Sequence, residues 1–331
     1  MKALVLEGIQ QKAQVKEVAK PTLNSGEALV SIKAAALNRR DYWIQQGKYA
    51  GLKFPIILGS DGSGIVEEVF DAADVSWVGK EVVIHPGSHW GEHPNFQSAN
   101  FKILGLPEDG TFAEYVKVDV QNLFIKPAHL THQQAAAFPL AGLTAYRALF
   151  TKAQLKKEDT VLITGIGSGV ATFALHFAVN FGCKVYVTSS SPQKIEKAIA
   201  LGAKGGVNYK DAHFDEELKS LSGGIDVVID GAVGEGFAKH LTYVNPGARI
   251  VLFGATAGDL PALNSRAIFW KQLQIFGTTM GTTEEFKAMH QFISDHQIIP
   301  VVSDVFKLED GAAAIALMAD STQFGKIILE V

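Results

Sequence analysis

The sequence contains one cysteine, Cys183, among 331 residues. A single cysteine cannot form an internal disulfide, and it cannot supply the four thiolates of a cysteine-rich zinc site. So little cysteine is typical of a reducing compartment, and the predicted location is cytoplasmic. The first residues, MKALVLEGIQ, have a short apolar stretch that ends at Glu7 and Gly8, which predicts a first strand rather than a signal peptide.

Charge of one sign and long apolar runs are also scarce. The 30 Lys and Arg residues nearly balance the 34 Asp and Glu residues, for a formal net charge of -4, and no basic block occurs. This balance argues against nucleic acid and anionic membrane as partners. The lack of about 18 consecutive apolar residues argues against a transmembrane helix. A small-molecule substrate is therefore the expected partner.

The patterns that are present predict an α/β protein with two domains, the number expected at ~150 residues per domain. Residues 1–127 carry short alternating apolar stretches between Gly, Pro and Asp, which predicts a β-rich, partly barrel-like domain. Residues 128–281 alternate buried strands with helices, among them a helix over residues 236–244. Six such strands predict a doubly wound parallel sheet. Residues 282–331 end in β-type segments, which we expect to return to the first domain.

Residues 161–170 (VLITGIGSGV) combine a buried strand, a glycine-rich turn and the start of a helix. This order predicts a dinucleotide site, because the turn brings the backbone and the helix amides close to a pyrophosphate. The third position of the glycine fingerprint holds Val170, so slightly wider packing of helix on strand is expected. The predicted cofactor contacts of the turn are Gly165, Gly167, Ser168, Gly169 and Val170.

The next strand ends in residues 188–194 (TSSSPQK), and no acid occurs before Glu196. An NAD site usually places Asp or Glu there for the ribose 2'-hydroxyl, whereas hydroxyls and a lysine can hold a 2'-phosphate. We therefore predict NADP(H) as the cofactor, contacted by Ser189, Ser190 and Lys194. The alternative is that the serines only cap a helix and the lysine is a solvated charge.

Several motifs together resemble those of the medium-chain dehydrogenase/reductase superfamily, and within it the zinc-free quinone oxidoreductase-like members. The motifs are AALNRRD at 35–41, PIILGSDGSGIV at 55–66, GTFAEY at 110–115, PLAGLTAY at 139–146, GIGSGVA at 165–171 and FGKI at 324–327. The resemblance covers essentially the whole chain. It implies a GroES-like first domain, a Rossmann domain and an oxidoreductase that forms homodimers near Phe269 and Trp270. Core packing of those two residues is the alternative.

The resemblance also implies site residues. Zinc alcohol dehydrogenases of this superfamily have a Cys where this chain has Asn38, a His at Ser60, and a Cys or acid near Leu140, so no metal is expected. Further cofactor contacts implied in this way are Asn38, Thr144, Tyr209, Phe253, Gly254, Ala255 and Lys326.

Without zinc, substrates that are already polarised are favoured, and the predicted activity is NADPH-dependent reduction of α,β-unsaturated carbonyl compounds or quinones. The candidates for hydrogen bonding or proton transfer are Asn38, Asp41, Tyr42 and Tyr49, with water as an alternative donor. Arg39 and Arg40 are expected to be surface charges or salt-bridge partners.

Two other functions stay open. A metal-dependent alcohol dehydrogenase would use His85, His89 and His93 in the loop IHPGSHWGEHP. A non-catalytic NADPH-binding sensor, or a nucleic-acid-associated protein, would bind the cofactor without turnover.

Overall fold

The computed structural model describes all residues from 1 to 331, which divide into two compact units. The first unit comprises residues 1–143 and 281–331, and the second comprises residues 144–280. The strands are β1 (Lys2–Leu6), β2 (Gln14–Glu17), β3 (Glu27–Ala36), β4 (Ile56–Ile57), β5 (Asp61–Val69), β6 (Glu81–Ile84), β7 (Gly87–Ser88), β8 (Lys102–Ile103), β9 (Tyr115–Asp119), β10 (Leu123–Ile125), β11 (Thr160–Ile163), β12 (Lys184–Ser189), β13 (Gly205–Asn208), β14 (Ile225–Asp230), β15 (Val244–Leu252), β16 (Gln274–Gly277), β17 (Val302–Lys307) and β18 (Lys326–Glu330).

Most helices are short. They are α1 (Arg39–Gln45), α2 (His132–Ala137), α3 (Pro139–Tyr146), α4 (Gly169–Phe181), α5 (Pro192–Ala200), α6 (Phe214–Ser222), α7 (His240–Tyr243), α8 (Ser265–Trp270), α9 (Thr283–Asp295) and α10 (Gly311–Asp320). A π-helical segment, Arg147–Lys152, continues α3, and a 3-10 helix, Glu235–Lys239, precedes α7. None of the helices combines the length and apolar character needed to cross a membrane.

The first unit is built on a seven-stranded sheet. Its strands run in the order β10-β6-β5-β3-β18-β17, and β9 also pairs with β3. The carboxyl-terminal strand β18 is antiparallel to β3, so residues 281–331 complete a sheet that begins near the amino terminus. A three-stranded sheet (β2-β1-β4) and a two-stranded sheet (β7-β8) make up the rest.

The first unit extends to residue 143, beyond the predicted boundary at 127, because α2 packs on its main sheet. Thr131 caps α2: its Oγ1 accepts from the amide of Gln134 at 3.2 Å, and its own amide donates to the Gln134 side chain at 3.0 Å. The alanines Ala136 and Ala137 of α2 share a buried apolar cluster with Ala34, Ala36 and Ile328 of the sheet. Small side chains on both surfaces allow helix and sheet to approach closely.

The second unit is a six-stranded sheet in the order β13-β12-β11-β14-β15-β16, and every neighbouring pair is parallel. The central strand β11 is apolar over Val161, Leu162 and Ile163, all fully buried, as a strand covered by helices on both faces requires. This topology confirms the predicted Rossmann-type fold.

Candidate active site

The predicted glycine-rich turn lies between β11 and α4, at the carboxyl edge of the parallel sheet. Gly165 and Gly167 have φ angles of 59° and 119°, which residues with side chains adopt rarely. A Cβ atom on Gly165 would meet no atom within 4 Å, so the space beside this residue is open. Ser168 is the N-cap of α4, and its Oγ accepts from the amide of Ala171 at 3.3 Å. The turn and the amino end of the 13-residue helix can hold a pyrophosphate.

The turn is fixed to the neighbouring strand β12. The amide of Ile166 donates to the Thr188 carbonyl oxygen at 2.9 Å, and the amide of Gly165 donates to Thr188 Oγ1 at 3.3 Å. Gly169 and Val170 are the first two residues of α4, and both are half-buried. The two hydrogen bonds to Thr188 fix the backbone conformation of the turn to which a ligand would bind.

The end of β12 presents hydroxyls and a lysine. Ser189, the last residue of the strand, is buried, and Ser190 is exposed. Ser191, one residue later, is the N-cap of α5; its Oγ accepts from the amide of Lys194 at 3.4 Å, and its own amide donates to Ser189 Oγ at 3.1 Å. The Lys194 side chain is half-buried. Residues 188–195 contain no carboxylate, so nothing in this segment opposes a 2'-phosphate.

The other predicted contacts of the second unit fall into two groups. Tyr209 directly follows β13, its amide donates to the Ser189 carbonyl oxygen at 3.3 Å, and its side chain is 45% exposed. Residues 253–255 follow β15; Phe253 is half-buried, and Gly254 and Ala255 are exposed. Because parallel strands end at one edge, these segments share that edge with the glycine turn. Thr144 is buried in α3, outside this group of loops.

Sequence reasoning missed a buried polar network at the same sheet edge. Asp230 ends β14; its Oδ1 accepts from Thr164 Oγ1 at 2.7 Å, and its Oδ2 lies 2.9 Å from His240 Nε2. His240 Nδ1 in turn is hydrogen-bonded to the Tyr243 hydroxyl. Burial disfavours the Asp230 carboxylate, but the hydrogen bond and charge of His240, with Thr164 and the Ala232 amide, outweigh it and lower its pKa to about 2. The network links the turn after β11 to the loop after β14.

In the first unit, Asn38, Asp61 and Lys326 form a buried group that we call the Asn38 cluster. Asn38 Nδ2 donates to Asp61 Oδ2 at 2.9 Å. The Lys326 ammonium donates to Asn38 Oδ1 at 2.7 Å and to Asp61 Oδ2 at 3.0 Å. The amide of Leu140 donates to Asp61 Oδ1 at 2.8 Å. Lys326 thus uses two of its three N–H groups inside the cluster, and its contact with the cofactor stays a prediction.

Asp41 lies beside the cluster and is completely buried. Its Oδ2 accepts from the amide of Asn38 at 2.7 Å, and this hydrogen bond caps α1. Its Oδ1 has no hydrogen-bond partner. Burial raises the pKa of Asp41 to about 6, against the opposing effects of Arg40 and the Asn38 amide. The structure thus gives Asp41 a role at the start of α1, and a catalytic role stays a prediction.

Tyr42 and Tyr49 are half-buried against the main core of the first unit. The Tyr42 ring packs at a tilt on Trp43, with 5.0 Å between the ring centroids. The Tyr49 hydroxyl lies 3.5 Å from Arg40 Nε, and its ring centroid is 5.2 Å from the Arg40 guanidinium carbon. Both phenols lie near a cation: Tyr49 is within hydrogen-bond distance of Arg40, and Tyr42 interacts with Arg39 through charge.

The expectation of a surface position is wrong for Arg40, which is buried. Its Nη1 donates to Ser60 Oγ at 2.6 Å and to the Leu104 carbonyl oxygen at 2.9 Å, and its Nη2 lies 3.4 Å from the Leu106 carbonyl oxygen. Arg39 is half-buried and bonds the Met318 carbonyl oxygen and Ser321 Oγ instead. Because Arg39 and Arg40 are adjacent at the start of a helix, the sequence alone does not indicate which of the two side chains points inward.

The loop histidines do not converge. His85 is buried, its ring packs edge-on against Phe286 at 4.7 Å, and burial lowers its pKa to about 4. Neither His85 nitrogen makes a hydrogen bond, although Gly87 and Asn122 are nearby. The His93 ring stacks on Phe96. No three His, Cys, Asp or Glu side chains anywhere in the structure are grouped so that they could hold a metal ion.

Comparison with known proteins places these features in a family. Residues 24–128 match the alcohol dehydrogenase GroES-like domain, and residues 169–295 match the zinc-binding dehydrogenase domain. The zinc-type alcohol dehydrogenase-like protein YogA of Leptosphaeria maculans is 38% identical, covering 96% of this chain and 94% of that protein. An acryloyl-coenzyme A reductase of Metallosphaera sedula is 30% identical over 99% of both chains. A crystal structure of an NAD-dependent alcohol dehydrogenase superposes with a TM-score of 0.92, at 34% identity and full coverage of both chains.

A GroES-like unit and a doubly wound unit with a dinucleotide turn define an oxidoreductase that takes a nicotinamide dinucleotide. With relatives of this identity and coverage, the chain belongs to the medium-chain dehydrogenase/reductase superfamily, in its zinc-type alcohol dehydrogenase-like group.

The residues at the zinc positions implied by the resemblance do not fit zinc. Asn38 and Ser60 offer an amide and a hydroxyl in place of thiolate and imidazole, and Leu140 offers no side-chain ligand. Asp61 has both carboxylate oxygens in hydrogen bonds, one of them with the Lys326 ammonium. These side chains therefore form a hydrogen-bonded group with a buried cation, and they are not a set of metal ligands.

Proposed function

We propose that this protein is an NADPH-dependent reductase of α,β-unsaturated carbonyl compounds, with quinones as a related class of acceptor. The observation that carries the proposal is the Asn38 cluster, a set of polar side chains that does not fit zinc. A site of this kind suits a substrate that is already polarised by conjugation, because such a substrate needs hydrogen bonds to oxygen rather than a Lewis acid. The relative named for acryloyl-coenzyme A supports an activated C=C bond as the acceptor.

NADPH, when bound, supplies the hydride. Gly165, Gly167 and the amino end of α4 would hold its pyrophosphate, and Ser189, Ser190 and Lys194 would hold its 2'-phosphate. The similar alcohol dehydrogenase of known structure is named as NAD-dependent. We favour NADP(H) for this chain because residues 188–195 contain no carboxylate to bind a 2'-hydroxyl.

The chain's own groups would bind the substrate oxygen and deliver a proton. Asn38 Nδ2 gives one N–H to Asp61 and has a second N–H for a substrate carbonyl or the nicotinamide ribose. Tyr49, whose hydroxyl lies near Arg40 Nε, is our first candidate for the proton donor, ahead of Tyr42 and water.

The direct test is NADPH oxidation with 2-cyclohexen-1-one, trans-2-hexenal, acryloyl-coenzyme A and 1,4-benzoquinone, each repeated with NADH and with a chelator present. We expect turnover with at least one enone or enoyl substrate, a preference for NADPH, and no effect of the chelator. Tight NADPH binding with no turnover on the whole panel would replace this function by a non-catalytic cofactor-binding role.

A homodimer through the edge of the parallel sheet is part of the proposal. Trp270 is 82% exposed and Phe269 is 63% exposed, and both end the helix before the edge strand β16, so they are surface residues rather than core residues. Exposed aromatics next to an edge strand, one side of which has no partner strand, favour association with a second copy. Light scattering should give a dimer for the native protein and a monomer for Trp270→Asp; a monomeric native protein would refute this part.

A further inference from the structure

Arg40 is a buried cation with no carboxylate among its hydrogen-bond acceptors. It is 7% exposed, and its guanidinium bonds hydroxyl oxygens and main-chain carbonyl oxygens. The buried Asp41 carboxylate interacts with Arg40 through charge but accepts no hydrogen bond from it. A buried charge is costly unless it is compensated, and in proteins the compensation is usually an opposite charge. A guanidinium held in this way is suited to a ligand that brings negative charge to it.

The guanidinium is fixed by a rigid local structure. The Leu104 carbonyl oxygen accepts from Ser60 Oγ at 2.7 Å as well as from Arg40. The loop that carries it lies directly on the backbone at Gly59, since a Cβ atom on Gly105 would be 2.7 Å from the Gly59 carbonyl oxygen. The Leu104 acceptor is thus bonded twice and belongs to a closely packed loop, which orients the cation before any ligand arrives.

One N–H group of Arg40 remains available. A guanidinium has five N–H groups in a planar fork. Four of them have acceptors here, namely Ser60 Oγ, the carbonyl oxygens of Leu104 and Leu106, and the more distant Tyr49 hydroxyl. The fifth, on Nη2, has none. Arg40 also bonds Ser60, one of the positions at which the superfamily's zinc enzymes are expected to carry a metal ligand.

We propose that Arg40 is a catalytic residue that binds the carbonyl oxygen of the substrate and stabilises the negative charge that forms on it. This inference rests on the proposed function. Hydride from NADPH forms a C–H bond at the β-carbon, the C=C electron pair shifts to the bond between the α-carbon and the carbonyl carbon, and the C=O electron pair moves onto oxygen. The Arg40 N–H donates to that oxyanion. The Tyr49 hydroxyl then gives its proton to the α-carbon, which forms the second C–H bond, and solvent reprotonates Tyr49. The carbonyl re-forms, and NADP⁺ and the saturated carbonyl compound are released.

Binding of an enolate analogue tests this role apart from turnover. The probes are 1,3-cyclohexanedione, which is largely an enolate anion at neutral pH, and neutral cyclohexanone. Both are titrated calorimetrically into the full-length protein saturated with NADP⁺. We expect the native protein to bind the enolate roughly 10- to 100-fold more tightly than the ketone, because a hydrogen bond to a charged group is the stronger kind. An enolate that binds no better than cyclohexanone, or does not bind, overturns the proposal.

Variants separate the charge of Arg40 from its packing. Arg40→Met should bring the enolate-to-ketone ratio close to one, and Arg40→Lys should keep part of it as a point charge. The matched control is Arg39→Met, the same change at the neighbouring arginine, whose side chain bonds the Met318 carbonyl oxygen and Ser321 Oγ instead. It should keep the ratio within about threefold of the native value. If Arg39→Met abolishes the preference as completely as Arg40→Met does, the preference does not depend on the Arg40 N–H group and the proposal fails. If Arg40→Met does not fold, Arg40→Lys decides the question. An Arg40→Lys protein without any preference for the enolate also overturns the proposal.

The two proposals fail separately. Turnover of 2-cyclohexen-1-one with no enolate preference would leave the reductase function intact and refute the role of Arg40. An enolate preference without NADPH oxidation on the whole panel would keep the anion site and refute the reductase function.

Discussion

The parallel sheet of the second unit and the buried polar groups of the first unit are built in opposite ways. In the sheet, each functional segment directly follows its own strand, so the strand order alone brings the segments to one edge. In the Asn38 cluster the bonded residues are far apart in the chain, since Lys326 and Asn38 are separated by 288 positions. The sheet provides a cofactor site through its topology, whereas the cluster depends on individual side chains meeting. Substitutions in the cofactor site should therefore act through local backbone geometry. Substitutions in the Asn38 cluster should act by leaving a buried charge uncompensated.

The largest effect on stability should come from Lys326→Met. It removes the cation that pairs with Asp61 and leaves a buried carboxylate, which costs about 3–5 kcal/mol of the free energy of unfolding. Urea denaturation followed by circular dichroism measures this loss. The matched control is Lys20→Met, which breaks an exposed ion pair with Glu67 and should leave the stability nearly unchanged. Equal losses in the two variants would show that burial of the pair is not what matters.

A change in the glycine turn should act on cofactor binding. Gly167→Val introduces a branched side chain at a φ of 119°, which strains the turn and displaces its amides, and we expect NADPH affinity to fall roughly 100-fold, or about 3 kcal/mol. Fluorescence titration with NADPH measures the affinity. Gly182→Ala, at the other end of α4 with a φ of 105°, is the control: it lowers stability without changing NADPH affinity. A Gly167→Val protein that binds NADPH normally would contradict the assignment of the turn.

The raised pKa of Asp41 predicts a pH dependence of stability. Its folded pKa of about 6 lies above the ordinary value of 3.8, so the folded state binds more protons between these values and stability falls as pH rises through that window. The span corresponds to at most about 3 kcal/mol. Asp41→Asn removes this titrating group. As pH rises from 4 to 6.5, the native protein should therefore lose free energy of unfolding relative to the variant. Above pH 7 the difference should be constant. A difference that is flat throughout would show that Asp41 is not perturbed.

The smallest expected effect concerns the choice between NADPH and NADH. Ser190→Asp places a carboxylate at the predicted 2'-phosphate site, and repulsion should weaken NADPH binding roughly 10-fold relative to NADH. Ser220→Asp, at an exposed position of α6, is the control for added charge and should leave the ratio of the two affinities unchanged. If both variants keep the native ratio, residues 188–194 do not select the cofactor.

The sheet could be predicted because its signals are local. The apolar run of β11 followed by Gly165 needs no distant partner to be recognised. The prediction was less successful at residues 236–244, where a 3-10 helix, Glu235–Lys239, precedes the single-turn helix α7. There the buried bonds of His240 to Asp230 and Tyr243 decide the local structure, and they link two separate elements.

The polar groups could be predicted only in part. The resemblance indicated Asn38 and Ser60 as substituted metal positions, but nothing in the sequence showed that Arg40 is buried or that Lys326 pairs with Asp61. Those facts follow from the packing of loop 104–107 on Gly59 and from the pairing of β18 with β3. Such long-range contacts have no periodicity that a single sequence reveals.

The central claim is hydride delivery to an activated C=C bond at a site without zinc. The most direct measurement is transfer of deuterium from NADPH deuterated at nicotinamide C4 to 2-cyclohexen-1-one, using protein first treated with chelator and checked for metal content. We predict deuterium at the β-carbon of cyclohexanone, one equivalent for each NADPH consumed when the transferred C4 position carries the label, in metal-free protein. Loss of NADPH oxidation after chelation with recovery on adding zinc, or deuterium at the carbinol carbon of an alcohol product, would contradict the account.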